Sequence, residues 1–191
     1  MVAPGREARL TIVSSDSRPV FYATRLAWQR PAFGAEPMTH GIALTRRYER
    51  VVDGRGQGAA STFAAGDVVR VTLTVRVPEQ RTFIAVSDPL PAGFEAIDTT
   101  LAGAGHDATE GEAGGARSAL WQSGFDHLQR YDDRVDLFAT WLGAGEHTVS
   151  YVARATTPGT FFAAPTQAEM MYEPEVAGRG AGATITVVST R

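Results

Sequence analysis

The 191-residue sequence contains no cysteine and no lysine, so all 18 of its basic residues are arginine. Without cysteine the chain can hold no disulfide, thiolate metal site, cysteine nucleophile or internal thioester. The formal net charge of −3 provides no broad basic field that would attract nucleic acid. No apolar run approaches the roughly 18 residues that span a bilayer, and Met1 to Arg6 lack the apolar core of a signal peptide.

Catalytic and cofactor-binding patterns are also missing. The histidines lie at positions 40, 106, 127 and 147, without the spacing of a zinc site. Asp132, Asp133 and Asp136 lack the central glycine of a calcium loop, so a solvated turn is the better interpretation. No Gly-x-Ser-x-Gly elbow marks a nucleophile. We therefore expect a protein that is not an enzyme and that uses no metal or cofactor.

Alternation of apolar and polar residues with a period of two dominates the chain. The clearest case is 68–77, where apolar residues at every second position from 69 alternate with Arg70, Thr72, Thr74 and Arg76. Other strands are predicted at 9–13, 20–26, 41–51, 83–88, 135–142, 147–155, 183–188 and from 161 onward. A short helical turn is the one alternative considered, within 121–131. The pattern predicts an all-β, antiparallel, Greek-key-like β-sandwich.

The connections follow from glycine, proline and composition. Turns are predicted at 54–58 and 65–67, and 143–145 is predicted to close a hairpin between its two flanking strands. Residues 102–115 carry hardly any apolar bulk and predict a mobile loop. Two prolines and a glycine within 29–37 indicate a domain boundary.

Two groups of side chains receive ordinary structural interpretations. Arg46, Arg47 and Arg50 are predicted to form a solvated strand face. The three tryptophans are predicted to pack in the core or between domains: Trp28, Trp121 and Trp141.

Four segments, in this order, carry a resemblance to a known family. They are HGIALTRRY at 40–48, GDVVRVTL at 66–73, VSDPLPAGFE at 86–95, and a long one from YVARATTPGTF at 151–161 to AEMMYEPE at 168–175. Their order and spacing resemble the C-terminal macroglobulin domain, of the MG10 type, of bacterial α2-macroglobulins. Residues 1–37 resemble the end of the preceding CUB-like β segment, which leaves 38–191 as a macroglobulin-type β-sandwich.

The resemblance implies a structural and regulatory role inside a large protease trap. Members of this family resemble periplasmic bait-and-trap inhibitors, often anchored to the inner membrane as lipoproteins. A protease cuts a bait segment, the molecule rearranges, and a strained Cys-Gln thioester bonds the attacker. The implied partners are the thioester domain and the other macroglobulin domains of the same parent chain, and target proteases through that parent.

The resemblance also implies a site. In thioester-bearing members an aromatic residue near the end of the terminal domain is expected to shield the thioester from water. Met171 and Tyr172, with Met170 beside them, occupy the matching place. A tyrosine ring offers apolar cover and one hydroxyl, and methionine adapts to irregular surfaces. The competing interpretation is an ordinary turn that packs on its own sandwich.

An Ig-like adhesion or carbohydrate-binding module is the main alternative function, because such modules share this strand pattern and a fold does not identify a function. Specific glycan binding would favour that alternative, whereas docking to an upstream partner domain would favour the macroglobulin interpretation. A free-standing enzyme ranks third.

Overall fold

The computed structural model describes residues 36–98, 120 and 122–190, together with 9, 11–13, 15 and 21–25. Fourteen strands are defined within these residues. Their bounds are β1 Met38–His40, β2 Ala43–Val52, β3 Arg55–Ala59, β4 Thr62–Ala64, β5 Val68–Val77, β6 Arg81–Pro89, β7 Phe94–Ala96, β8 His127–Arg130, β9 Arg134–Leu142, β10 Gly145–Ala155, β11 Gly159–Ala163, β12 Gln167–Met170, β13 Glu173–Arg179 and β14 Ala183–Val188. Across the described ranges, no helix is both long and apolar enough to cross a membrane.

The strands form two large sheets and a small one. The six-stranded sheet has the order β1-β13-β12-β6-β9-β8, and the five-stranded sheet has the order β3-β2-β5-β10-β7. The small sheet has the order β11-β14-β4. Every strand pair is antiparallel except β14 with β4, which is parallel. The predicted all-β, macroglobulin-type sandwich is confirmed.

Strand β5 lies at the centre of the five-stranded sheet, between β2 and β10. Its bounds match the predicted strand, and its side chains at 69, 71, 73, 75 and 77 are almost completely buried. Each buried valine or leucine of this kind stabilises the fold by about 1.5–3 kcal/mol relative to exposure. The opposite parity, Arg70 to Arg76, faces away from the core, as the alternation predicts.

The predicted hairpin between β9 and β10 is wrong. Strand β9 pairs with β6 and β8 in the six-stranded sheet, whereas β10 pairs with β5 and β7 in the five-stranded sheet. Residues 143–144 therefore carry the chain from one sheet to the other. Both strands bury alternate residues, such as Leu137 and Val149, because each supplies an inner face of the sandwich.

Two other connections refine the sequence-based expectations. The predicted turn at 54–58 is shorter: Asp53 and Gly54 turn with φ of +48° and +74°, and the chain then forms β3. Positive φ at both positions suits a tight hairpin between twisted strands. The turn at 65–67 is confirmed, with the Asp67 carboxylate accepting a 2.8 Å hydrogen bond from the Ala64 N–H.

The two strands predicted near the start of the chain are not seen in the part of them that the structure describes. Residues 9, 11–13 and 21–25 take part in no strand, and Phe21 and Tyr22 are 95% and 72% exposed. A strand needs a neighbour for its backbone hydrogen bonds, and no described strand pairs with these residues.

The predicted loop at 102–115 lies outside the described residues. The boundary at residue 37 stays a prediction, although β1 begins directly after it. Within the predicted helical turn at 121–131, Gln122 is helical, whereas 127–130 forms β8.

Candidate functional site

Strands β12 and β13 present the predicted site residues at the tip of a hairpin. Met170 pairs with Glu173, so Met171 and Tyr172 form the two-residue turn between the strands. The register shifts between Glu169 and Met170, which indicates a bulge next to the turn. Bulges twist a strand locally and re-aim the side chains that follow. The turn lies beside the start of β6, where Met170 pairs with Ile84.

The three predicted residues have different environments. Met170 is 6% exposed and belongs to the core of the sandwich, so it anchors the hairpin from inside. Met171 is 52% exposed and Tyr172 is 77% exposed. Only the latter two present a surface to a partner. The shielding role of Met171 and Tyr172 and the competing interpretation of an ordinary packed turn both stay predictions.

Phe83 is part of this site, although the sequence pattern shows it only as one residue of a strand. The N–H of Met171 donates a 2.8 Å hydrogen bond to the carbonyl of Phe83. The rings of Phe83 and Tyr172 meet edge to face, with centroids 5.1 Å apart and planes at 89°. We call Phe83, Met171 and Tyr172 the aromatic turn.

Trp141 lies on β9, next to the β6 strand that carries Phe83. It pairs in register with Thr82, the neighbour of Phe83, and its side chain is 60% exposed. Of its two predicted placements, packing in the core is therefore wrong, and packing between domains stays a prediction. Trp28 and Trp121 lie outside the described residues.

A buried polar cluster joins the two large sheets at Asp88. The Arg46 guanidinium donates to one carboxylate oxygen at 2.7 Å, and the Thr166 hydroxyl donates to the same oxygen at 2.6 Å. The Tyr151 hydroxyl donates to the other oxygen at 2.6 Å. We call these four residues the Asp88 network. Because three donors satisfy the carboxylate, it is not available as a catalytic base.

Arg46 is buried, which corrects the prediction that it lies on a solvated face with Arg47 and Arg50. Its guanidinium also donates to the backbone carbonyls of Pro89 and Ala163, each at 3.2 Å. Arg47 and Arg50 are 58% and 54% exposed, as predicted. The sequence contained an indication that Arg46 is buried, because Arg46 has the same parity as the core residues on either side of it in β2.

Burial around the Asp88 network changes the acidity of its groups. Burial raises the pKa of Tyr151 well above the usual value, and the adjacent Asp88 carboxylate adds to the rise. Burial likewise raises the pKa of Tyr48, whose ring lies 5.2 Å from the Arg46 guanidinium. Burial opposes the charge on Arg46, but Asp88 outweighs it and the pKa of Arg46 is raised. Arg46 therefore stays charged, and both tyrosines stay neutral at neutral pH.

The acidic and histidine residues form no candidate metal centre in the described ranges. Asp133 and Asp136 each pair with the Arg134 guanidinium, at 3.2 and 3.1 Å. Asp133 is exposed, as the predicted solvated turn requires, whereas Asp136 lies within β9 with its side chain 15% exposed, so that prediction is wrong for Asp136. The ring nitrogens of His147 face the carbonyls of Ser123 and Gly143 at 3.0 and 2.8 Å. These contacts are local and structural.

Comparisons with known proteins agree with this fold. An α2-macroglobulin homologue from Nostoc sp. is 33% identical over 120 residues, covering 63% of this chain and 6% of its own length. The α2-macroglobulin of Escherichia coli is 31% identical over 154 residues, covering 78% of this chain and 9% of its own length. The crystal structure of Salmonella α2-macroglobulin reacted with methylamine is 29% identical, with a TM-score of 0.66. That match covers 83% of this chain and 10% of the Salmonella chain.

The chain thus spans about a tenth or less of the length of these multidomain relatives. The family model of the bacterial α2-macroglobulin MG10 domain matches residues 41–175, which include all the residues of the aromatic turn and of the Asp88 network. This chain belongs to the bacterial α2-macroglobulin MG10 domain family.

Proposed function

We propose that this domain regulates a bacterial α2-macroglobulin-like protease inhibitor by docking its aromatic turn on the thioester domain of the same parent chain. In the uncleaved state the turn would cover the reactive thioester. The observation that carries this proposal is a pair of adjacent large side chains, Met171 and Tyr172, that are exposed but held in place. Their own sandwich leaves them available for a partner.

The aromatic turn has the properties of a docking surface. Exposed apolar side chains that cluster together mark interaction sites more often than scattered ones do. Phe83, Met171 and Tyr172 form such a cluster, with exposures of 45%, 52% and 77%. The backbone hydrogen bond and the edge-to-face ring contact order the cluster before binding. A preorganised surface loses less conformational entropy on docking.

The chemistry of a thioester supports the same role. A thioester persists only where water and free amines are kept away from its carbonyl carbon. The Tyr172 ring supplies a large apolar cover, and its hydroxyl can hydrogen bond at the edge of the contact. Met171 can adapt to an uneven surface beside it. The Salmonella relative is described as reacted with methylamine, which supports an amine-sensitive group in that protein.

The proposal extends to the parent protein. Cleavage of a bait segment would displace this domain and uncover the thioester, a rigid-body rearrangement of a familiar type. The domain would act without catalysis of its own, and target proteases would be reached only through the parent. A periplasmic location with a lipoprotein anchor belongs to the same proposal.

The test uses the full-length parent protein. Its coding sequence is read for a Cys-x-x-Gln motif, and thiol release by methylamine is then timed for the wild type and for Tyr172→Ala. We expect the substitution to accelerate thiol release on the order of ten-fold, because an aromatic contact is lost from the cover. Tyr172→Phe should stay close to wild type, since it keeps the ring.

Tyr131→Ala is the matched control, because Tyr131 is also exposed and its ring contacts the Arg134 guanidinium instead of the turn. It should leave thiol release unchanged. A parent without a thioester, or equal thiol release from wild type and Tyr172→Ala, would overturn the proposed shielding role.

A further inference from the structure

We infer that Phe83 is a positioning residue for Tyr172, fixing the tyrosine ring in the orientation that docks. This inference rests on the proposed function of the aromatic turn. It assigns to β6, a different part of the chain, a role in the site carried by the β12–β13 hairpin. Nothing in the linear pattern around Phe83 separates it from an ordinary strand residue.

Two contacts join Phe83 to the turn. Its carbonyl accepts the 2.8 Å hydrogen bond from Met171, which fixes the backbone at the start of the turn. Its ring meets Tyr172 at 5.1 Å and 89°, an arrangement that aromatic quadrupoles favour. An exposed tyrosine without such a contact distributes among its staggered rotamers. The Phe83 ring therefore selects one of them.

The backbone of Phe83 is unusual. Its φ is +52°, in the left-handed region that bulky L-residues rarely occupy. Glycine or asparagine would suit that conformation better. Residues in strained conformations persist where their surroundings hold them, and they concentrate at functional sites.

Burial in the domain's own core does not explain a phenylalanine at this position. The side chain is 45% exposed, whereas Ile84 beside it is fully buried. The described structure gives the Phe83 ring one aromatic partner, which is Tyr172. The ring therefore contributes more to the turn than to the core.

The experiment separates the ring of Phe83 from its backbone conformation. Phe83→Gly and Phe83→Asn remove the ring and tolerate the positive φ, so both variants should keep the melting temperature of the wild type. Phe83→Tyr keeps the ring and serves as the rescue variant. The Tyr172 ring resonances of the 191-residue chain are followed by NMR and assigned by their loss in Tyr172→Phe. Methylamine-driven thiol release is timed in the full-length parent.

We expect ring-to-ring nuclear Overhauser effects between Phe83 and Tyr172 in the wild type. In Phe83→Gly and Phe83→Asn, the Tyr172 resonances should move towards those of free tyrosine. Thiol release should then accelerate roughly five-fold, in line with the usual strength of an aromatic pair. Phe83→Tyr should restore slow release. In a Tyr172→Ala background the Phe83 substitutions should add nothing, because no ring remains to be positioned.

Unchanged thiol release in Phe83→Gly and Phe83→Asn, alongside acceleration in Tyr172→Ala, would overturn the positioning role and leave the proposed function intact. Absence of the ring-to-ring effects in the wild type would also overturn it. If Tyr172→Ala itself had no effect, the shielding function would fail and the positioning role with it.

Discussion

Arg46 and Asp88 form an ion pair in the interior of the sandwich, 2.7 Å apart and with side chains 3% and 0% exposed. The pair joins β2 of the five-stranded sheet to β6 of the six-stranded sheet. Removing two charges from water is costly, and the pair is stable only because further groups satisfy both partners. Tyr151 and Thr166 supply those hydrogen bonds to the carboxylate.

Replacing Asp88 with asparagine should destabilise the chain by about 3–5 kcal/mol, because Arg46 would remain buried without a counter-charge. Urea unfolding of the purified chain measures this loss. The control is Arg50→Ala, which removes an exposed ion pair with Asp67 and should change stability by less than about 1 kcal/mol. Equal effects from the two substitutions would contradict the assignment of a buried pair.

Stability should fall steeply in alkaline solution. Burial raises the pKa of Tyr48 and Tyr151 in the folded chain, whereas both ionise near pH 10 when unfolded. The unfolded state therefore holds fewer protons above pH 10. The stabilisation is fully present below that pH and is lost as the pH rises above it, by up to about 1.4 kcal/mol per pH unit for each tyrosine.

Urea unfolding between pH 8 and pH 12 tests the alkaline loss, with phenolate absorbance recorded in parallel. Tyr48 and Tyr151 should ionise only as the chain unfolds, and Tyr151→Phe should show a shallower alkaline slope. Ionisation of all five tyrosines in the folded chain by pH 11 would refute this expectation.

Truncation to alanine should lower the unfolding free energy strongly at Met170 and weakly at Tyr172, although the two residues lie only two positions apart. Met170→Ala leaves a cavity in the core and should destabilise the chain by about 2–5 kcal/mol. Tyr172→Ala should change the unfolding free energy by no more than about 1.5 kcal/mol, because the ring is mostly in solvent and loses only its edge-to-face contact with Phe83. Thermal or urea unfolding of the two variants provides the comparison. A large loss of stability in Tyr172→Ala would mean that the ring serves its own domain.

Gly178→Ala should be severely destabilising. The added methyl group would overlap the backbone carbonyl of Ile42, which cannot move without disturbing the strands around it. Overpacking of this kind costs about 1–3 kcal/mol or more. Gly143→Ala, where a methyl group would meet open space, is the matched control and should be nearly neutral. Soluble yield and melting temperature distinguish the two.

Alternation of apolar and polar residues predicted where the strands lie, but it did not predict which strands pair with each other. In β5 each residue from Val69 to Val77 has the face that its parity predicts, because alternation follows directly from strand geometry. Parity does not reveal which sheet a strand joins. The Gly143–Gly145 segment looks like a hairpin turn, yet β9 and β10 separate into different sheets because both have a face to bury in the core.

The candidate site was predictable only in part. Met171 and Tyr172 were found through the family resemblance, since an exposed turn carries no periodic signal. Phe83 was missed, because its left-handed backbone depends on contacts with a distant hairpin. Arg46 could have been placed inside by its shared parity with Leu44 and Tyr48, but its charge favoured a solvated interpretation.

The parallel pairing of β4 with β14 has a consequence for biosynthesis. Thr62 pairs with Thr186, so a strand formed early in the chain completes its sheet only with the last strand described. Met38 likewise pairs with Arg179. Contacts between such distant positions slow folding, because a long loop must close before they form. A nascent chain that has not yet formed β14 leaves β4 without this partner, so the small sheet is completed late in folding.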